Sequence, residues 1–363
     1  MKPAFTLRRV LQLPPKPGNP RNSEGGFVTL RDGRILFVYT RYYGESWDDH
    51  APAELAARIS TDGGRSYLPD ERIIVPNEGR NVMSVSLLRL ADGRIALVYL
   101  RKSGGDACDC RPYLRTSSDE GESWSAPADI IGLPGYFVVN NDRLIQLSSG
   151  RLLLPAAFHR YCRNAQGRVE PGARGIVLFY ASDDGGASWR ELPEWILPPR
   201  QLDTGFQEPG AVELADGRIF ACFRTGDGAQ YTARSEDGGE HWSDPVRNEA
   251  FPSPAAPLSM KRNPSTGELF AVWDDLSPER KIPRTPESWN RTPLVLARSS
   301  DGGKSWHGHI ELENAPDHGY CYTAMHFTGD ALLLGYCSGG GTSGVLQTLT
   351  LARLEYRSEP GGA

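Results

Sequence analysis

Carboxylates, arginines, amides and tyrosines recur at matched distances from a set of turn glycines. Nine positions before Gly33, Gly93, Gly150, Gly217, Gly267 and Gly329 lie Glu24, Ser84, Asn141, Glu208, Leu258 and Tyr320. Seven to nine positions after them come Arg41, Tyr42, Arg101, Lys102, His159, Arg224, Asp274 and Asp275. Carboxylates move protons, guanidinium groups hold anions in a planar fork, and amides both donate to and accept from hydroxyl groups. For any one position a solvated strand end explains the polarity equally well. The agreement between successive segments is what points to one shared mouth.

The elements that would position these groups are repeats. A motif Ser-x-Asp-x-Gly-x-x-Trp, or a near relative, occurs five times, at Ser60–Tyr67, Ser117–Trp124, Ser182–Trp189, Ser235–Trp242 and Ser299–Trp306. Its aspartates (Asp62, Asp119, Asp184, Asp237, Asp301) are 57, 65, 53 and 64 positions apart. Asp and Ser side chains bond to turn backbone, Gly takes a positive φ, and Trp packs over the loop. These aspartates are therefore read as fasteners and not as catalysts.

A second repeat, two apolar runs around a Gly turn such as Leu30-Arg-Asp-Gly33-Arg-Ile-Leu, occurs six times and is a strong hairpin signal. Two hairpins per unit of about 60 residues make a four-stranded sheet, and six such sheets fill the chain. The expected fold is all-β, a six-bladed β-propeller of four-stranded antiparallel sheets in a single domain spanning 1–363. Strand-like Phe5–Leu11 and Val345–Leu351 are expected to share the last blade. A propeller keeps its substrate site where innermost strands begin and second strands end.

Composition narrows the partners. The net charge of −5 across 363 residues, with no long basic run, argues against nucleic acid. No apolar run is long enough to span a bilayer, and the start lacks the apolar stretch of a secretory signal, so the expectation is a cytoplasmic protein with no membrane partner. Cys108, Cys110, Cys162, Cys222, Cys321 and Cys337 show no zinc-type spacing and are expected as free thiols. With no metal cluster and no phosphate loop, no cofactor is required.

Asp boxes in a six-unit pattern resemble the sialidase (neuraminidase) superfamily, in its bacterial BNR-repeat form, over essentially the whole chain. The resemblance implies roles residue by residue. Glu208, in Gln-Glu208-Pro-Gly, is similar to the glutamate that polarises a nucleophilic tyrosine. Arg224 and Arg291 match arginines that bind a substrate carboxylate. Tyr320, in His-Gly-Tyr320-Cys, resembles the nucleophile, with Tyr322 as the alternative; Asp49, narrowly ahead of Asp48, resembles the acid.

One departure matters. The family opens on an Arg-Ile-Pro motif whose arginine completes a triad around the carboxylate of sialic acid, whereas this chain has Arg21-Asn-Ser-Glu24-Gly-Gly. An acid at Glu24 would repel a carboxylate. Asn81, Asn141 and Glu24 suit sugar hydroxyls, Arg101 or Arg143 stand as replacement cations, and Arg21, Arg41 and Tyr322 complete the candidate binding set, Arg21 as a third ligand to the substrate carboxylate. The implied activity is retaining exo-hydrolysis of a terminal, sialic-acid-like sugar from a glycan. The competitors are another glycan hydrolase, a lyase using His159 or a tyrosine as base, and a propeller that binds glycan or protein without turnover. Linkage, aglycone and oligomeric state leave no mark in the sequence.

Overall fold

A computed structural model describes residues 5–104 and 109–356; Cys108 lies outside them. The described chain is all-β, with one short 3₁₀ turn at Pro286–Ser288. No helix among the described residues is long and apolar enough to cross a membrane.

Apolar alternation and Gly turns fold as expected into antiparallel units. The first unit orders Asn22–Thr29, Ile35–Tyr42, Ala53–Ser60 and Arg72–Val75. The fourth begins with Gln207–Glu213 and the fifth with Ser259–Arg262, and each runs in chain order through four strands. The sixth joins Cys321–Phe327, Ala331–Cys337 and Leu349–Tyr356 to the N-terminal strand Phe5–Leu13. That closing strand begins at Leu349, so Val345 and Leu346 precede it and do not belong to it. Strands three and four of this unit come from opposite ends of the chain, so no hairpin joins them. This is why six units carry five Asp boxes.

The second and third units depart from the expected separate sheets and share one nine-stranded sheet. The inner strand of the third unit is broken into Tyr136–Val138 and Ile145–Gln146. Its first piece pairs in parallel with the second unit at Cys110, where Cys110 N donates to Gly135 O and Gly135 N to Asp109 Oδ1.

Neighbouring units share apolar clusters. Val28, Leu36, Leu87 and Leu97 join the first to the second, and Phe27, Phe37, Leu333 and Leu351 join the first to the sixth. Burial of this kind contributes roughly 25 cal/mol per Å² and is the main attraction between units.

Four of the inner strands share one irregularity. Pairing slips between Ser23 and Gly26, Met83 and Ser86, Gln207 and Gly210, and Cys321 and Ala324. Within each slip a non-glycine residue takes a left-handed φ: Glu24 at 49°, Ser84 at 60°, Glu208 at 46° and Tyr322 at 57°; Asp142, at 58°, sits in the break of the third unit. Such bulges re-aim a side chain, and left-handed backbone at a non-glycine residue costs about 1–3 kcal/mol each. Glycine follows Glu24 for a steric reason, since a Cβ on Gly25 would run into the Phe37 ring.

Candidate active site

The bulges bring together residues far apart in sequence. The Tyr322 hydroxyl donates to Glu208 Oε1 at 2.9 Å, and Arg224 Nη1 pairs with Glu208 Oε2 at 2.6 Å. The Arg291 guanidinium lies 5.8 Å from the Tyr322 ring centre and donates to Ala255 O and Cys321 Sγ. Burial pushes the Glu208 carboxyl up, but Arg224, Arg291 and the tyrosine hydroxyl outweigh it and hold it below its ordinary value. Burial, and then Glu208, drives the Tyr322 phenol well above its ordinary value, so this pair is a phenol donating to a carboxylate.

Tyr320, the expected nucleophile, is elsewhere. Its side chain is 2% exposed in the apolar cluster between the fifth and sixth units, 6.3 Å from the Tyr336 ring, and burial raises its phenol to about 12. The reason is the last Gly turn. In the first, second and fourth units the bulge residue precedes the next strand by 11 positions, but Tyr322 precedes Ala331 by 9. Counting nine back from Gly329 overshoots by two.

Arg21, expected to bind substrate, is instead buried with its guanidinium spent on the protein. It donates to Asp49 Oδ1 at 2.5 Å, Glu24 Oε1 at 3.1 Å, Ser23 Oγ at 3.1 Å and Trp47 O at 3.3 Å, over the Tyr42 ring. Glu24 also accepts a short bond from Ser84 Oγ. Burial raises the Glu24 carboxyl against the pull of Arg21 and Ser84. Asp49 is pushed up by burial but held lower, on balance, by Arg21 and Lys102, while its side chain stays 57% exposed. Asp48 instead accepts the His50 backbone N–H in an ordinary turn, so Asp49 is the loop carboxylate that faces the site.

A cavity of about 130 Å³ lies between the two groups, bounded by Glu24, Asp49, Lys102, Asn140, Glu208 and Tyr322, with Met83, Leu100 and Val138 as its apolar wall. A second cavity of about 390 Å³ shares Tyr136, Val138 and Glu208 with it and adds His50, His159 and Gln207. His159 Nδ1 bonds Gly172 O, and burial lowers its imidazole.

Several expected ligands are turned away. Arg41 pairs with Glu54 and Glu71, and Arg101 stacks at 3.8 Å on the Tyr113 ring near Glu78, both on faces between strands. In each, the strand's alternation points the charge sideways. Arg143 is buried and donates to Leu258 O. Asn141 Nδ2 braces Gly25 O and Tyr322 O, tying three inner strands together. Asn81 Nδ2 holds Asp49 O and Ala51 O, and so fixes the loop of the acid instead of meeting a sugar. Lys102 and Asn140 do line the cavity. Lys102 had the right strand-end register, and Asn140 is the neighbour of the amide chosen.

Comparison with known proteins bears on the family and the fold. The family model described as a BNR repeat-like domain matches residues 69–335, which includes Glu208, Arg224, Arg291 and Tyr322 but not the first unit's Arg21, Glu24 and Asp49. A sialidase of Bacteroides fragilis is 25% identical over 336 residues, 83% of this chain; the chain spans only 57% of that relative's length. A Dyadobacter fermentans protein of unknown function superposes with a TM-score of 0.73 at 17% identity, over 97% of this chain and 99% of its own. Trypanosoma rangeli sialidase, solved as a covalent intermediate with 2,3-difluorosialic acid, gives 0.68 at 16% identity, over 96% of this chain and 59% of its own. At these identities the structural likeness is one of fold.

Proposed function

Because the chain belongs to the BNR repeat-like domain family, we propose that it is a sialidase-like glycoside hydrolase that removes a terminal sugar from a glycan with retention at the anomeric carbon. In this reading the six four-stranded units are the blades of a propeller, with the cavity at the mouth of its axis. The observation that carries the proposal is the 2.9 Å bond from the Tyr322 hydroxyl to Glu208 Oε1, across the cavity from Asp49.

Tyr322 attacks the anomeric carbon while Glu208 takes the phenolic proton, and protonated Asp49 gives its proton to the departing glycosidic oxygen. The product of this half is a tyrosyl glycoside and a free alcohol. In the second half Asp49, now ionised, draws a proton from water, which displaces the tyrosine; Glu208 returns the phenolic proton. Two inversions give net retention. A phenol in place of a carboxylate nucleophile avoids repulsion by an acidic sugar, and Arg224 and Arg291 orient the bound ring.

Fluorogenic sialosides and a panel of other exo-glycosides, each assayed with wild type, Tyr322→Phe and Tyr320→Phe, test the reading. Release of a sugar by wild type and Tyr320→Phe, but not by Tyr322→Phe, is expected; undiminished turnover by Tyr322→Phe overturns it. A lyase is the second reading, favoured by His159 in the adjoining cavity beside Glu208. It would leave an unsaturated sugar that absorbs in the ultraviolet.

A further inference from the structure

We propose that Lys102 and Asn140 form a separate recognition pole for an oxyanion substituent, a carboxylate or sulfate ester, on the sugar seated at Tyr322. The proposal rests on the glycosidase reading for the identity of that ligand as a sugar. Lys102 is 3% exposed and Asn140 2% exposed, and both bound the small cavity.

Three observations converge on it. A buried ammonium is destabilising unless a counter-charge offsets it. Among the described residues Lys102 has no carboxylate within ion-pair distance, and its one hydrogen-bond acceptor is Asp49 O at 2.6 Å, which leaves two of its three N–H donors unspent. Among the described residues Asn140 Nδ2, equally buried, has no acceptor. An unmade bond at such an atom is destabilising until a ligand supplies the acceptor. Two residues with donors of this kind line one cavity, and together they suit a group rich in acceptor oxygens. The apolar wall of Met83, Leu100 and Val138 lowers the local dielectric and strengthens whatever they hold.

The third observation is Arg21. A sugar's acidic group would find its guanidinium already divided between Asp49 and Glu24. Lys102 ends the second strand of the second unit and reaches the same Asp49 loop from the neighbouring side. The cation for the substrate is thus supplied by the second unit, while Arg21 is committed to holding the acid loop. Lys102 and Asn140 act on specificity; neither touches the phenol or the carboxylate that transfers its proton.

The experiment is equilibrium titration, followed by ligand-observed NMR, of N-acetylneuraminic acid, galactose 6-sulfate and galactose. Wild type, Lys102→Met, Lys102→Arg, Asn140→Ala and Tyr322→Phe are compared. Wild type is expected to bind at least one charged sugar roughly tenfold or more tighter than galactose, a difference of about 1.4 kcal/mol. The favoured sugar tells carboxylate from sulfate. Lys102→Met and Asn140→Ala should bring it to within about twofold of galactose, while Lys102→Arg and Tyr322→Phe keep the preference. Equal binding of all three sugars by wild type, no binding of any, or an undiminished preference in Lys102→Met overturns the proposal. Should Lys102→Met fail to fold, Asn140→Ala decides on the same criterion. Turnover is not read, so a protein that hydrolyses nothing yet shows the Lys102-dependent preference refutes the glycosidase reading and leaves this one standing.

Discussion

The turn end and the strand-start end of the units use polar side chains for opposite purposes. At the turn end, each Asp box closes on itself: Asp184 accepts from Ser182 Oγ, Ser188 N and Ser188 Oγ, and Gly186 N donates back to Ser182 Oγ. These bonds hold the Asp184 and Asp119 carboxyls down at about 2. At the strand-start end, Glu24, Glu208 and Tyr322 occupy strained left-handed positions, and Asn140 keeps an unmade bond. A saturated carboxylate has nothing left to offer a ligand. The carboxylates of the turns are saturated and those of the inner strands face a cavity, so the turn end supplies stiffness and the strand-start end the groups that chemistry can use.

The sharpest test of that contrast exchanges two tyrosines two residues apart. Tyr322→Phe removes the nucleophilic oxygen and should lower kcat by about 10³-fold or more. Tyr320→Phe, in the apolar cluster, should leave kcat within a few-fold of wild type. Similar losses in both would mean that the bulge does not select the working side chain.

Next in size are the carboxylates. Glu208→Gln should lower kcat by about 10²–10⁴-fold, the usual worth of a positioned base. Asp49→Asn should cost a similar factor on natural glycans and much less on aryl glycosides, whose leaving groups need little protonation. The pH dependence has a definite sign. Asp49 must carry a proton to act as acid, and Arg21 and Lys102 hold it below its ordinary value. Turnover of glycans with poor leaving groups should therefore fall as pH rises toward neutral. Lys102→Met removes one of the restraining cations, so it should move this alkaline limb to higher pH. A limb that stays put, or moves down, would show that another group supplies the proton.

The fold was legible because each unit repeats its own instructions: an Asp-Gly turn, an Asp box and alternating apolar runs state the four strands locally. The site was legible only as far as register could be counted. Glu208 follows from Gly217, since that hairpin has the common length, and Tyr322 escapes because the Thr328–Asp330 turn is two residues tighter. Arg41 and Arg101 show a second limit. Spacing reports how far along a strand a residue sits, but the partners that claim its charge, Glu54, Glu71 and Tyr113, lie on neighbouring strands or just before them. The break in the third inner strand has the same character. Asn140 and Asn141 are adjacent and chemically identical, and only the backbone between Val138 and Ile145 decides which amide reaches the cavity and which braces Gly25.

The smallest expected effect belongs to the boxes, and it is the control that gives the others meaning. Asp184→Ala deletes a self-contained turn network in the third unit, far along the strands from Tyr322. It should lower the melting temperature by about 2–4 °C and leave kcat and KM unchanged. Because the Asp184 carboxyl is depressed in the folded protein, its stabilisation is fully present above the ordinary aspartate value of about 3.9 and is lost as pH falls toward 2. The difference in melting temperature between wild type and Asp184→Ala should therefore shrink as pH falls below about 4. A loss of kcat comparable to that of Glu208→Gln would instead mean that the turn end is coupled to the site, and the division of labour between the two ends would fail.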